Sequence, residues 1–260
     1  MNLYVVTHKK IEWNIPFQHK LITVDGYSEE GAINSEKYIE KEISDNRTFA
    51  MYKSAPVILD ELKNSHDKEH VGVFSYRSYL STEFTADIAG VHPEDSARIF
   101  ATPESLQTSW KDKVLLDFPS NYELVITQPI DFECTVLEQY AAIHHVDDLL
   151  FGMGLAVRAG LISQQMVAYS LSNRLFINNF ASEVSFYRNL YERVWWIAEE
   201  FYKKYWIPRN DYQVRAINFM LERVISAVLI EQVYFRKRPT IACKMLLVDK
   251  NLKYSPSLVP

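Results

Sequence analysis

The sequence lacks the short motifs that mark the commonest enzyme classes. It has no P-loop, no GxGxxG, no GxSxG and no HExxH, which sets aside P-loop kinases, Rossmann dehydrogenases, α/β-hydrolases and zincins. Cysteine is scarce. Cys134 and Cys243 stand alone, without a CxxC pair or a Cys/His spacing that suits structural zinc. Both are expected to be reduced and buried, as in a cytoplasmic protein. No apolar run reaches the roughly 18–20 residues needed to cross a bilayer. The first residues, MNLYVVTHKK, put a strand before the basic residues, the reverse of a signal peptide. From these absences the chain is expected to be soluble and cytoplasmic, at most peripheral to a membrane. A basic excess is missing too: the formal net charge is −5. That argues against nucleic acid as a partner, while a few local donors would still suffice for a nucleotide.

What is present suits one large α/β domain. The 260 residues are 48% hydrophobic, enough for a sizeable core. Short apolar runs predict strands at Leu3–Thr7, Leu21–Val24, from Val71 toward Leu80, at Tyr122–Thr127 and at Arg174–Asn178. Between the second and third lies a polar loop, residues 28–46, then a helix to about Asn64 that Pro56 should kink. Helical pieces are predicted at Pro93–Phe100, Pro103–Lys113, Thr135–His144, onward through about Val157, and at Leu161–Ser172. Two long periodic helices, Ala181–Tyr205 and Asp211–Phe235, dominate the last third, before a short apolar run and a polar tail. The order predicts an α/β nucleotide-binding core over 1–180, with C-terminal helices over 181–260 packed on it as one continuous domain.

The stretch VGVFSYRSYL, residues 71–80, turns from apolar to polar and aromatic. In an open α/β sheet, ligands bind beyond the carboxyl ends of strands. Arg77 offers a planar fork that matches phosphate, and Tyr76 and Tyr79 can stack on a base or sugar. The same ten residues also suit an edge strand with a snorkelling arginine and two interfacial tyrosines. The first strand ends in Thr7, His8 and Lys9, groups able to hold a nucleotide or simply to make a surface turn. Asp25 follows the second strand, placed either for a ribose hydroxyl or base edge or, with Gly26, for a tight turn.

Tyr140, His144 and Asp148 recur every four residues. On one continuous helix they would share a face, giving an acid/base pair or a helix junction around a satisfied histidine. Asp147 and Asp148 can also be read as a carboxylate pair for Mg²⁺ or Mn²⁺ holding a diphosphate. No Asp-x-Asp occurs, and a metal-free site would need cations such as Arg77 or Lys9. Arg215 and Glu222 sit two turns apart on the last helix with Arg223 beside them, as a cap over a site or as a solvated helix face.

Taken together and in order, Val-Thr-His-Lys-Lys, Arg-Thr-Phe-Ala-x-Tyr, Val-Gly-Val-Phe-Ser-Tyr-Arg-Ser-Tyr, Gln-Tyr-x-x-x-His-x-x-x-Asp-Leu, Leu-Phe-Ile and Arg-x-x-x-Phe-x-x-Glu-Arg resemble one bacterial family. It is the family of capsule and O-antigen glycosyltransferases long filed as a domain of unknown function, which includes a galactofuranosyltransferase domain. The resemblance runs from Met1 to about Val233. The chain departs from it at Ser75 and Ser78, where the family has histidine and arginine, and at Arg174-Leu175, where it has Asn-Met. The resemblance implies a GT-A-like nucleotide-sugar-binding sandwich, a UDP-sugar donor (galactose or galactofuranose favoured) and a glycan or lipid-linked glycan acceptor. It implies Thr7, His8, Lys9 and Asp25 at the nucleotide, with Tyr76, Arg77 and Tyr79 near the diphosphate or sugar. Asp148 is then the expected base with His144 second, and Tyr140, Arg215, Glu222 and Arg223 are acceptor or lid candidates. Against this stand a non-catalytic module of the same fold and a structural subunit docking through Trp195, Trp196 and Trp206.

Overall fold

The computed structural model describes residues 1–44, 47–85, 97–209 and 211–250. In chain order the strands are β1 (Asn2–Thr7), β2 (Lys20–Thr23), β3 (Ile33–Asn34), β4 (His70–Ser75), β5 (Ser78–Thr85), β6 (Arg98–Ala101), β7 (Leu124–Thr127), β8 (Ile130–Asp131), β9 (Arg174–Leu175), β10 (Phe180–Glu183) and β11 (Thr240–Val248). The α-helices are α1 (Lys41–Ser44), α2 (Ala55–Leu62), α3 (Pro103–Gln107), α4 (Val136–Ala141), α5 (Val146–Arg158), α6 (Val184–Lys204) and α7 (Ala216–Ile230).

Strands β3, β2, β1 and β4 are neighbours and parallel. Alternate residues of β1 enter different cores: Tyr4 and Val6 join the helical side, Leu3 and Val5 the other. β7 repeats this, with Leu124 and Ile126 on one side and Val125 on the other. Burial on both faces is why these strands read as continuous apolar runs rather than as alternating ones. Beyond β4 the sheet becomes mixed. β10 pairs antiparallel with both β4 and β7, β11 joins β7 to β5, and β5 meets β4 at Ser78 and Ser75. Five strands therefore close into a ring. The architecture is mixed α/β; the curl is a feature that the expected open sandwich did not contain.

Several sequence expectations change. Val71–Leu80 is two strands, β4 and β5, joined by a tight turn at Tyr76 and Arg77. The helix expected to Asn64 is a 3₁₀ stretch, Arg47–Ser54, broken at Ala50, followed by α2 with Pro56 in its first turn. Most of the helix expected at Pro93–Phe100 lies outside the described residues, and its end belongs to β6. Gln164–Leu171 is 3₁₀ rather than α. The short apolar run after residue 238 is β11, a nine-residue strand inside the sheet. Tertiary pairing with β5, β6 and β7 made a long strand of it. Cys243 is buried there, but Cys134 is exposed, contrary to expectation, just before the Thr135 cap of α4. Trp195 packs on Phe49, Trp196 under Arg158, and Trp206 against Tyr202 and Arg209, so these rings have partners within the chain. Among the described residues, no helix is long and apolar enough to cross a membrane.

Two features of the helical layer position the cavity described next. Gly152 lets α5 approach α7 closely: a β-carbon there would lie 2.2 Å from Met220 Sδ. Every residue of α7 is buried except Phe219 and Glu222. Three residues apart, these share a face, and that face is a wall of the cavity.

Candidate active site

A cavity of about 760 Å³ opens at the carboxyl ends of the parallel strands. β1 delivers Thr7 and His8 to it, β2 delivers Val24 and Asp25, and the β4–β5 turn delivers Ser75, Tyr76, Arg77 and Ser78. Parallel alignment brings these ends to one edge of the sheet. The opposite wall comes from α7 and the Arg215 before it, through Asn218, Phe219, Glu222 and Arg223. Gln139 of α4, the Leu175–Asn179 segment, the Ala50–Met51 kink, Ile130 and Phe132, Arg98 of β6 and Met245 and Leu247 of β11 complete the lining. Each of the six sequence motifs thus contributes to one cavity, although they are spread over more than two hundred residues of chain.

Asp25 and Ala50 both adopt left-handed backbone (φ 58° and 43°). Such conformations cost of order 1–3 kcal/mol for residues with a side chain. Asp25 Oδ1 accepts a hydrogen bond from Lys53 Nζ at 2.7 Å. That lysine is fully buried, and it also donates to the Ser44 carbonyl at 2.7 Å. The carboxylate is therefore fixed from beneath.

Across the cavity, Glu222 Oε1 accepts from Asn218 Nδ2 at 2.9 Å, and Oε2 accepts from Arg223 Nη1 at 3.0 Å. Arg223 Nη2 donates to Gln139 Oε1 at 2.9 Å. About a third of the Glu222 side chain remains open to the cavity while protein surrounds the rest. That burial raises its pKa above the ordinary carboxylate value, and Arg223 and Asn218 only partly counter it. His8 is shifted the other way. Burial lowers its pKa first, then the Arg215 charge, with Lys9 and Arg77 adding to the effect and Asp25 opposing it.

Not every expected residue reaches the cavity. Lys9 lies beside the Tyr76 ring, with Nζ 5.3 Å from the centroid, and is not part of the wall. Tyr79 is buried in the second core and donates its hydroxyl to the Tyr76 carbonyl at 2.6 Å, holding the turn rather than facing a ligand. Tyr140, His144 and Asp148 do not line the cavity. The chain breaks between α4 and α5, so the three never share one continuous helix face. The ring of His144 is held between Tyr140 and Phe219, with centroids 4.8 and 4.3 Å away. Asp148, expected to point into the cleft with Arg77, is buried and gripped at both oxygens by Arg209, one contact being 2.7 Å. Asp147, its neighbour, is exposed.

The sequence reading missed Asn178, Asn179 and Asn218. The first two directly follow the Leu-Phe-Ile motif, and carboxamides at the end of a short apolar run were the available signal. Arg174, where the resembling family has asparagine, donates to both oxygens of Asp131 at 2.7 Å and to the Tyr234 hydroxyl at 2.8 Å. It thereby pins β9 to β8 at the cavity rim.

No family model matches the sequence, and no curated protein matches it. The fold does match a solved structure, the apo form of the bifunctional glycosyltransferase WbbM, with a TM-score of 0.73 at 13% sequence identity. The alignment covers 95% of this chain and 45% of that one, so this chain spans less than half of that protein's length. The likeness is one of fold.

Proposed function

We propose that the chain is a glycosyltransferase that moves a sugar, galactose or galactofuranose favoured, from a UDP-sugar to a growing surface-glycan acceptor on the cytoplasmic side. One observation carries this reading: six separated motifs converge on one cavity, with apolar walls and several charged side chains, at the carboxyl ends of three parallel strands, the position where open α/β sheets take nucleotides. The fold likeness to a glycosyltransferase agrees with it.

Within this reading Asp25, braced by Lys53, takes a ribose hydroxyl or base edge, and Arg77 faces the diphosphate. The base is reassigned from Asp148 to Glu222. Asp148 is committed to Arg209 away from the cavity, whereas Glu222 lies in the wall with a raised pKa, as suits a proton acceptor near neutral pH. The acceptor hydroxyl gives its proton to Glu222 as its oxygen bonds to the anomeric carbon. The bond from that carbon to the β-phosphate oxygen breaks, and UDP leaves with the electron pair.

Calorimetry with UDP, combined with UDP release from UDP-galactose and UDP-galactofuranose in the presence of acceptor glycans, tests the reading. Binding with turnover supports it. Binding without turnover makes the chain a nucleotide-binding module, and absence of both ends the proposal.

A further inference from the structure

Arginine in this chain is generally matched by carboxylate: Arg174 by Asp131, Arg209 by Asp148, Arg223 by Glu222 and Arg238 by Glu123. Arg47, Arg77, Arg193 and Arg215 differ: no ion pair joins any of them to a carboxylate among the described residues. Arg98, in the cavity wall, has an interaction of its own; of these four, Arg77 and Arg215 line the cavity. Both also act on His8, which lies between β1 and the cavity, so their charges converge on one region.

A divalent ion is the usual bridge between protein carboxylates and a diphosphate, and the residues here do not fit one. Among the described residues no group of three His, Cys, Asp or Glu side chains could hold a metal. Among the described residues the acidic side chains that line the cavity are Asp25 and Glu222, and each already has its counter-charge, in Lys53 and Arg223. Asp25 engages Lys53 through Oδ1, so a dication at its other oxygen would sit close to the fully buried Lys53 ammonium, whose charge repels it. His8 offers a nitrogen, but inside a field that repels cations.

We infer that, resting on the UDP-sugar reading above, this site holds its donor without a metal, and that Arg77 and Arg215 together neutralise the diphosphate. One negative charge on each phosphate of a UDP-sugar meets one guanidinium, and each fork can bond two oxygens.

The test is UDP titration of the purified chain by calorimetry in EDTA, repeated with excess Mn²⁺ and then Mg²⁺, for the wild type, Arg77→Gln and Arg215→Gln. Both arginines are exposed, so both variants should melt at the wild-type temperature. The expected result is equal UDP affinity in EDTA and in metal, and a roughly 10- to 100-fold weakening in each variant, the range for a lost charge-assisted contact. Binding that requires Mn²⁺ or Mg²⁺ overturns the inference and leaves the UDP site standing. Metal-free binding that survives both substitutions overturns the assignment to the arginines. No UDP binding under any condition overturns the donor reading and this inference with it.

Discussion

Two clusters in this molecule carry the same kinds of side chain and have opposite characters. The junction of α4 and α5 holds Tyr140, His144 and Asp148; the cleft holds His8, Asp25, Tyr76, Arg77, Arg215 and Glu222. In the junction the charges are closed on themselves. Arg209 grips Asp148 at both oxygens, Gln213 bonds the His144 ring nitrogen and the Ile143 carbonyl, and Phe219 covers the imidazole. In the cleft Arg223 pairs with Glu222, but among the described residues Arg77 and Arg215 have no carboxylate partner, and Glu222 keeps an open side. A cluster whose charges are paired internally is framework, even with the Tyr140 hydroxyl left without a hydrogen-bond partner; one left with uncompensated charge around a cavity has capacity for a ligand.

The comparison breaks most sharply at the carboxylates. Glu222→Gln should reduce turnover by about 10²–10⁴-fold, the range for lost acid–base catalysis, while UDP affinity by calorimetry stays nearly constant. Asp148→Ala should do the reverse, leaving the half-buried Arg209 without its partner and costing up to about 3 kcal/mol of unfolding free energy in a urea titration, the low end for a pair buried on both sides. If Asp148→Ala instead spares stability and removes turnover, the two clusters have been assigned the wrong way round.

A pH profile sharpens the contrast. Because burial raises the pKa of Glu222 and the base acts deprotonated, turnover should fall on acidification at a pH above the ordinary carboxylate range. An acid limb at or below that range would count against Glu222.

The smallest expected effect separates the two histidines. Burial lowers both His8 and His144, but only His8 is also held down by Arg215 and Arg77. A bound diphosphate should offset those charges, so saturating UDP should raise the His8 pKa and leave His144 unmoved in an NMR titration. Without ligand, each lowered histidine favours the folded state above the unfolded pKa of about 6.5 and loses that contribution as pH falls toward its folded value. His144→Phe should therefore flatten part of the decline in melting temperature between neutral and mildly acidic pH.

The sequence by itself determined the strands whose two faces are both buried, since continuous apolar runs such as those of β1 and β7 leave no other reading. It also determined which strand ends would be polar, and through them Thr7, His8, Asp25, Tyr76 and Arg77, because strand-end position is a local property. The tertiary structure decided the rest. Whether Tyr140, His144 and Asp148 face a ligand depended on a helix break at residues 142–145 and on Arg209, sixty-one residues away in sequence. Glu222 became the open carboxylate because α7 is buried on every other side, which four-residue periodicity cannot express. β11 became a long strand only because β5, β6 and β7 offered it backbone partners. Local spacing fixes which side chains can share a face; long-range packing fixes which of those faces are filled by protein and which are left for something else.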